Sequence, residues 1–180
     1  MSTPRAHSRE LLPMLAGLLE KSGTTWQNIG AFAVGVGPGS FTGLRVACAT
    51  IAGINASLKK PVYSLCSLGI TARQTDSDLE HWAIEDARSG LVYAAKYQAD
   101  HVIEAAQCLS WDSFLNCSPK IFSSTSDIPV AHESWQRLPL VFSREQALLA
   151  AVKAIHPESD YDVWVEPVYL QPSQAEKDML

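Results

Sequence analysis

The 180-residue sequence has little charge and no concentration of positive charge. Asp, Glu, Lys and Arg make up 18% of the residues, below the quarter that is usual in soluble domains, and the formal net charge is −5. The densest basic spot is the pair Lys59-Lys60. Because proteins that hold nucleic acid unaided carry a basic stripe, the composition argues against strong direct binding of nucleic acid. The shortage of charge fits a surface covered by a partner, although a compact domain with alanine-rich helices would show it too.

Cysteine and histidine are too scattered to encode a local metal or redox site. None of the four cysteines forms a Cys-x-x-C pair, and no two of the five histidines stand four residues apart. These spacings argue against a zinc knuckle, a redox dithiol and a helical pair of histidine ligands. The Gly-x-Ser-x-Gly pattern of a nucleophile elbow is also absent. We therefore predict no catalytic residue, no metal ligand and no cofactor, and we interpret Cys48 and Cys66 as reduced core thiols.

Long apolar runs are missing as well. The first residues contain no apolar core of a signal peptide, and the longest apolar runs fall short of the roughly 20 residues that cross a bilayer. We therefore expect a cytoplasmic protein that does not interact with a membrane. The hydrophobic content of 47% is enough for a real core in one domain or two small lobes.

The first third of the chain alternates helix and strand signals. Leucines at helical spacing predict a helix over 8–22: Leu11, Leu12, Leu15, Leu18 and Leu19. Pro13 is tolerable in such a helix only near its first turn. Short apolar runs predict strands at 31–36 and 61–65, with a helix over 41–58 between them. Strand, helix, strand is a crossover unit, so we predict an α/β fold with a parallel or mixed sheet.

The remainder predicts further strands and one helix. The strands are expected at 82–84, 91–97 and 102–109, the last two as a hairpin around Ala99-Asp100. Ser143 and Gln146 form a capping box that begins a helix reaching about residue 155. The Ser- and Pro-rich stretch 118–136 is predicted to be irregular, and 166–170 a short strand or an extended tail.

The segment from Gly35 to Arg45 carries the most specific signal. It reads Gly-Val-Gly-Pro-Gly-Ser-Phe-Thr-Gly-Leu-Arg and joins a predicted strand to a predicted helix, where a glycine-rich turn can hold phosphate. The segment does not match a Walker A loop, because it lacks the lysine of that motif. It does not match the dinucleotide-binding fingerprint either, because its third glycine comes one residue late. We therefore favour a structural turn over a nucleotide site. Its residues are Gly37, Pro38, Gly39, Ser40, Thr42 and Gly43.

In this interpretation each residue of the turn has a structural role. The glycines supply positive φ, Pro38 fixes one dihedral, and Ser40 or Thr42 caps the helix. Neither the structural nor the nucleotide interpretation explains Phe41 and Arg45. Aromatic residues and arginine are favoured anchors of protein interfaces, so a binding partner would explain both.

Residues 37–45 are similar to the hallmark of the TsaB (YeaZ) family, Gly-Pro-Gly-Ser-Phe-Thr-Gly-Leu-Arg. Three further segments resemble family segments in the family's order: His7 to Pro13, Asp86 to Tyr93 with its Asp-Ala-Arg and Val-Tyr, and Glu166 to Leu170. After the last of these, Gln171 stands in place of the family's arginine. The resemblance therefore runs from one end of the chain to the other.

The resemblance implies a degenerate actin-like, sugar-kinase-like (ASKHA) fold of two α/β lobes without an ATP site. We place an incomplete N-terminal lobe in 1–80 and the C-terminal lobe in 81–180. Family members begin with strands before the helix at His7, whereas only six residues precede it here. We expect either a start codon assigned about thirty residues too late or a genuinely short chain, and we favour the first.

The resemblance also implies a non-catalytic scaffold and activator that pairs with a catalytic TsaD-type subunit. With a TsaE-type ATPase, the complex threonylcarbamoylates the tRNA adenosine beside the anticodon, so this chain meets tRNA only through the complex. The family pairs through its first two helices. The residues that we expect at this interface are Leu11, Leu12, Leu15, Phe41, Leu44, Arg45 and Cys48. The alternatives are a nucleotide-binding or hydrolytic enzyme that uses the Gly35–Gly43 turn, and a stand-alone homodimer through the same helices.

Overall fold

The computed structural model describes residues 4–128, 134–156, 161–162 and 164–171. The chain divides into two compact units, one of Met1–Leu65 with Glu158–Val168 and one of Cys66–Pro157 with Tyr169–Leu180. This division after Leu65 differs from the boundary predicted after residue 80. The reason is a short helix, Ser67–Ala72, all of whose residues are buried and which packs on strands of the second unit.

The described residues of the first unit form two α-helices, a short 3-10 helix (Trp26–Asn28) and a two-stranded sheet. Its elements are α1 (Pro4–Lys21), β1 (Phe32–Gly37), α2 (Phe41–Leu58) and β2 (Val62–Cys66), whose last residue belongs to the second unit. The order strand, helix, strand is the predicted one, and α2 has the predicted bounds. The core of this unit comprises Val34, Val36, Cys48, Val62 and Val165. Burial raises the pKa of the Cys48 thiol, so this side chain stays protonated in the core.

Helix α1 places Pro13 differently from the prediction. The helix begins at Pro4, so Pro13 lies in its middle and not near its first turn. The missing N–H of Pro13 leaves the carbonyl of Arg9 without its helical partner. Because Arg9 and Pro13 are both exposed, water can bond to that carbonyl and the helix continues.

The end of α2 is fixed by Asn55. Its buried side chain donates to the carbonyl of Lys60 over 2.9 Å and accepts the N–H of Lys60 over 2.8 Å. Lys59 between them adopts the left-handed conformation that often ends helices, with φ 55°. The two reciprocal bonds therefore turn the chain out of α2 toward β2.

Helix α2 also corrects the expectation about apolar runs. By length and composition it could cross a membrane, whereas the sequence reasoning found no run long enough. Length and composition alone do not make a span, because a helix that packs on a sheet passes the same test. In this structure α2 packs on β1 and buries Leu44, Cys48 and Asn55.

The second unit is built around a five-stranded mixed sheet. Its elements are α3 (Ser67–Ala72), β3 (His81–Arg88), β4 (Leu91–Gln98), β5 (His101–Ser110), α4 (Trp111–Asn116), β6 (Ile121–Ser123), β7 (Gln136–Arg137) and α5 (Arg144–Lys153). The strand order is β5-β4-β3-β6-β7. Neighbours are antiparallel from β5 to β3 and parallel from β3 to β7.

Side chains that alternate along β3 and β4 supply two cores in this unit. The α3-side core comprises Leu68, Ala72, Ala83, Ala87, Tyr93, Ala95 and Tyr97. The aromatic core comprises Trp82, Ile84, Val92, Ala94, Phe114, Phe122 and Ile128, with Trp111 and Trp135 against it. The continuous burial of both strands follows from these two covered faces.

Three predicted segments need correction or refinement. Helix α4 was not predicted, and the stretch 118–136, predicted to be irregular, contains β6 and the first residue of β7. Residues 166–170 form no strand but an extended segment, in which the N–H of Val168 donates to the carbonyl of Val36 over 2.8 Å. The capping box at Ser143 and the hairpin between β4 and β5 are confirmed.

Tyr97 makes the second unit sensitive to alkaline pH. Its hydroxyl lies in the α3-side core and donates to Cys66 Sγ over 3.6 Å. Burial, assisted by Cys66, raises the pKa of Tyr97 far above its ordinary value. Above about pH 10 the unfolded chain loses a proton that the folded chain keeps, so this contribution to stability falls by up to ~1.4 kcal/mol per pH unit. Below about pH 10 both states hold the proton, and the contribution is complete.

We expect Tyr97→Phe to remove this part of the alkaline decline. Denaturant unfolding at about pH 9 and about pH 11 should show a smaller loss of unfolding free energy for the variant than for the wild type. All other alkaline groups are shared by the two proteins, so the difference reports Tyr97. Equal losses in the two proteins would contradict the assignment.

Candidate functional site

The turn that links β1 to α2 is closed by the chain's own backbone. Gly37 has φ 126°, a conformation that only glycine adopts readily. A Cβ atom at this position would lie 2.7 Å from the carbonyl oxygen of Val168 and 3.1 Å from Cδ1 of Leu44. The N–H of Val168 also donates to Val36 at the end of β1. Gly37 is therefore required because the extended segment at Val168 approaches it closely.

The other glycines of the turn have no such requirement. A Cβ atom at Gly39 would meet nothing within 4 Å, and one at Gly43 would meet only Ser40, at 3.6 Å. Neither residue has a positive φ. The expectation that the glycines as a group supply positive φ is thus wrong for Gly39 and Gly43 and right for Gly37.

Ser40 caps α2, which decides between the two predicted caps. Its Oγ accepts the N–H of Gly43 over 3.4 Å, and its carbonyl accepts the N–H of Leu44 over 2.9 Å. Thr42 lies exposed in the first turn of the helix. Pro38 is buried directly after Gly37. The first N–H groups of α2 are thus partly satisfied by the turn itself.

Phe41 and Arg45 contact each other on the first two turns of α2. The guanidinium carbon of Arg45 lies 5.2 Å from the centroid of the Phe41 ring, within cation–π range. Phe41 is half-buried and Arg45 is exposed. A face that bears both an aromatic ring and a positive charge is thus presented next to the turn.

Two of the residues predicted at a partner interface face the chain's own core instead. Leu44 and Cys48 are 8% and 2% exposed, and Cys48 packs with the valines of β1 and β2. They lie one turn apart on the face of α2 that covers the sheet, so they are not available to another chain. Leu11 and Leu15 are half-buried on α1, which packs on α2.

The exposed apolar side chains of α1 flank the half-buried leucines. Leu12 is 49% exposed, Met14 68% and Leu18 62%. Met14 and Leu18 are four residues apart and so share one side of the helix. Met14 was missed by the sequence reasoning, which followed leucines alone, although its spacing from Leu18 was visible. Over residues 9–21, where the exposure of α1 is described, these two are the most exposed large apolar side chains.

Helix α2 adds an exposed line of mostly small residues. They recur at spacings of three and four: Thr42, Arg45, Ala49, Gly53 and Ala56. Small side chains allow another backbone to come close, and Arg45 offers charge at one end of the line. We call Met14, Leu18 and this line the exposed helix surface.

Asp86 and Arg88 brace a turn at the end of β3. Asp86 Oδ1 accepts the backbone N–H of Arg88 over 2.8 Å, and Arg88 and Ser89 have φ of 64° and 52°. Within the described ranges, no three His, Cys, Asp or Glu side chains converge as metal ligands.

Comparison with known proteins decides the family. The profile of the family described as "TsaD: tRNA N6-adenosine threonylcarbamoyltransferase" matches residues 2–115. The chain belongs to this family. A curated relative, the tRNA threonylcarbamoyladenosine biosynthesis protein TsaB of Escherichia coli K12, is 37% identical over 100 residues, which are 54% of this chain and 43% of the relative. The chain thus spans less than half of that relative's length. The match confirms the resemblance to the TsaB (YeaZ) family that the sequence motifs indicated.

Two solved structures give this member of the TsaD family its fold. YeaZ from Pseudomonas aeruginosa superposes with a TM-score of 0.65 at 25% identity, covering 94% of this chain and 87% of that one. An uncharacterized protein with similarity to peptidase YEAZ from the same organism gives 0.70 at 24%, covering 92% and 84%. The fold is the actin-like, sugar-kinase-like α/β fold that the resemblance implied.

Proposed function

We propose that this chain is a non-catalytic scaffold and activator subunit in the synthesis of threonylcarbamoyladenosine in tRNA. It pairs with a TsaD-type catalytic subunit through the exposed helix surface and works with a TsaE-type ATPase in the cytoplasm. The observation that carries this proposal is the family match over residues 2–115, together with relatives named for this biosynthesis.

The geometry of the glycine turn supports an accessory role over nucleotide binding. The space beside Gly37, where a phosphate-binding loop would admit its ligand, is occupied by the carbonyl of Val168 and by Leu44. A carbonyl oxygen repels phosphate, and no lysine follows the turn in the helix. The glycine that resembles a phosphate-binding feature thus serves the packing of the chain itself.

The charge of the chain supports contact with tRNA through another subunit. The formal net charge is −5, and the exposed helix surface contains one cation, Arg45. Neutralising several phosphates would require a cluster of lysines and arginines. The positive charge for tRNA therefore comes from the partner in this proposal.

Exposed apolar residues of α1 supply the test of pairing. We expect Met14→Glu and Leu18→Glu each to weaken binding of the TsaD-type subunit by about tenfold or more, because each would bury a charge at the interface. Both side chains are largely exposed, so the unfolding free energy of this chain should change by no more than about 0.5 kcal/mol. Calorimetric titration of the partner measures the affinity.

Leu149→Glu is the matched control. Leu149 is 54% exposed on α5, in the other unit, so the substitution repeats the chemistry away from the exposed helix surface. It should leave the affinity unchanged. If Met14→Glu and Leu18→Glu also bind with the wild-type affinity, the pairing surface is wrong.

The biosynthetic role has a separate test. An extract that lacks this chain should lose tRNA threonylcarbamoylation and regain it when the purified chain is added back. Calorimetry of the isolated chain with ATP and ADP addresses the enzyme alternative. Tight binding there would favour a nucleotide site over the accessory role.

A further inference from the structure

A cavity of about 320 Å³ opens in the second unit beside the turn between β3 and β4. Its walls are mostly apolar. The residues that line it are Asp86, Leu91, Val92, Trp111, Asp127 and Ile128, with Gly90 at the turn. Its volume lies at the lower end of the range for ligand pockets, which suits a single side chain better than a nucleotide or cofactor.

Two carboxylates, those of Asp86 and Asp127, belong to this cavity, and both residues are exposed. Ser126 links the backbones of the two residues, because its Oγ accepts the backbone N–H of Asp86 over 3.2 Å and Asp127 follows it in the chain. Among the described residues, no lysine or arginine forms a salt bridge with either carboxylate. The cavity thus combines unneutralised negative charge with an aromatic wall.

The loop that carries Asp127 is fixed by a dense set of hydrogen bonds. Glu85 accepts the backbone N–H of Thr125 over 3.0 Å and its hydroxyl over 2.6 Å, and the hydroxyl of Ser126 donates to its other oxygen. Arg137 donates to the carbonyls of Ser124 and Ser126, each over 2.9 Å. The loop that carries Asp127 is therefore rigid, and the cavity is formed before any ligand arrives.

We propose that this cavity binds an arginine side chain presented by a partner chain. The guanidinium lies between the carboxylates of Asp86 and Asp127, and the face of Trp111 stacks on it. Leu91, Val92 and Ile128 contact the methylene stem. The proposal builds on the role of this chain as an interaction subunit and adds a second contact site, in a different unit from the exposed helix surface.

The test uses the intact chain and a small probe, so it does not depend on the pairing proposed above. Nα-acetyl-arginine amide, which presents the side chain as a peptide would, should bind with a Kd of about 1 mM, the range of a single small fragment. Nα-acetyl-citrulline amide has nearly the same shape without the charge, so its affinity should be lower by a factor of about ten or more. Titration followed by NMR, with the Trp111 indole signal assigned through Trp111→Phe, measures both.

Isosteric variants assign the charge to the two carboxylates. Asp86→Asn and Asp127→Asn should each weaken binding of the arginine probe by about fivefold. Asp78→Asn makes the same change of net charge in the loop before β3, outside this cavity, and should bind as the wild type does. Equal binding of the two probes, unaltered binding by both cavity variants, or no saturable binding at about 20 mM would overturn the proposal.

Discussion

Replacing Phe114 with alanine is expected to lower the free energy of unfolding by about 3–5 kcal/mol. Phe114 is fully buried in the aromatic core, although it belongs to a helix of only six residues. Its ring meets Trp82 edge to face, with centroids 5.4 Å apart, and Trp135 in the same manner at 6.1 Å. Truncation removes apolar surface that folding buries, together with these aromatic pairs. It also leaves a cavity that the rigid neighbouring rings cannot fill.

Denaturant unfolding followed by near-UV circular dichroism measures this loss, because the signal arises from the packed tryptophans. Phe114→Leu is the control, since it keeps most of the volume and removes the aromatic pairing. It should lose about 1–1.5 kcal/mol. A loss below about 1 kcal/mol for Phe114→Ala would mean that α4 does not hold the aromatic core together.

The helix that carries Phe114, α4, was not predicted from the sequence, whereas α2 was predicted with its correct bounds. Helix α2 has signals at both ends: a serine cap before it, and two lysines and a proline after it. Its 18 residues also give several turns of periodicity. The six residues of α4 give less than two turns, and their start signals are Ser110, whose side chain accepts the N–H of Ser113, and Asp112 in the first turn. A pattern that short cannot be told from the end of a strand.

Strand β6 was missed for a related reason. Its three residues, Ile121–Ser123, are too few to show alternation, and their partners are β3 and β7, both in parallel register. The parallel pair Trp82 with Phe122 is made across a long stretch of chain. Local sequence carries no signal of such a partner, so the surrounding Ser and Pro decided the prediction.

The candidate site shows the same limit at the level of single residues. Helix α2 is apolar on more than one side, and sequence alone did not tell which side covers the sheet. Leu44 and Cys48 were therefore assigned to a partner, although they face the core. The assignment of Phe41 and Arg45 to the interface stays a prediction, and both lie in the first unit, Phe41 half-buried and Arg45 exposed. Which of them another chain could reach depended on the tertiary packing of α1 and β1.

Replacing Gly37 with alanine is the second large effect that we expect. A Cβ atom would collide with the carbonyl oxygen of Val168 at 2.7 Å, and the residue would have to hold φ near 126°. A side-chain-bearing residue at such a φ is strained by about 1–3 kcal/mol, and displacement of the Val168 segment adds to that. The total should be about 3 kcal/mol, which lowers the Tm of a domain of this size by about 6–12 °C.

Gly43→Ala and Gly39→Ala separate this collision from a general effect of glycine replacement. Position 43 lies in the first turn of α2, where its nearest neighbour is Ser40 at 3.6 Å, so alanine should be neutral or stabilise by up to about 1 kcal/mol. Position 39 has open space and no positive φ, so alanine should change stability by no more than about 0.5 kcal/mol. Equal losses for all three variants would contradict the role of Val168.

If the turn instead held a phosphate, the three variants would alter nucleotide affinity, and Gly37→Ala would leave the Tm of the free chain nearly unchanged. A fall in Tm without any nucleotide present would therefore favour the structural turn, because the atoms that exclude a Cβ at Gly37 belong to the chain itself.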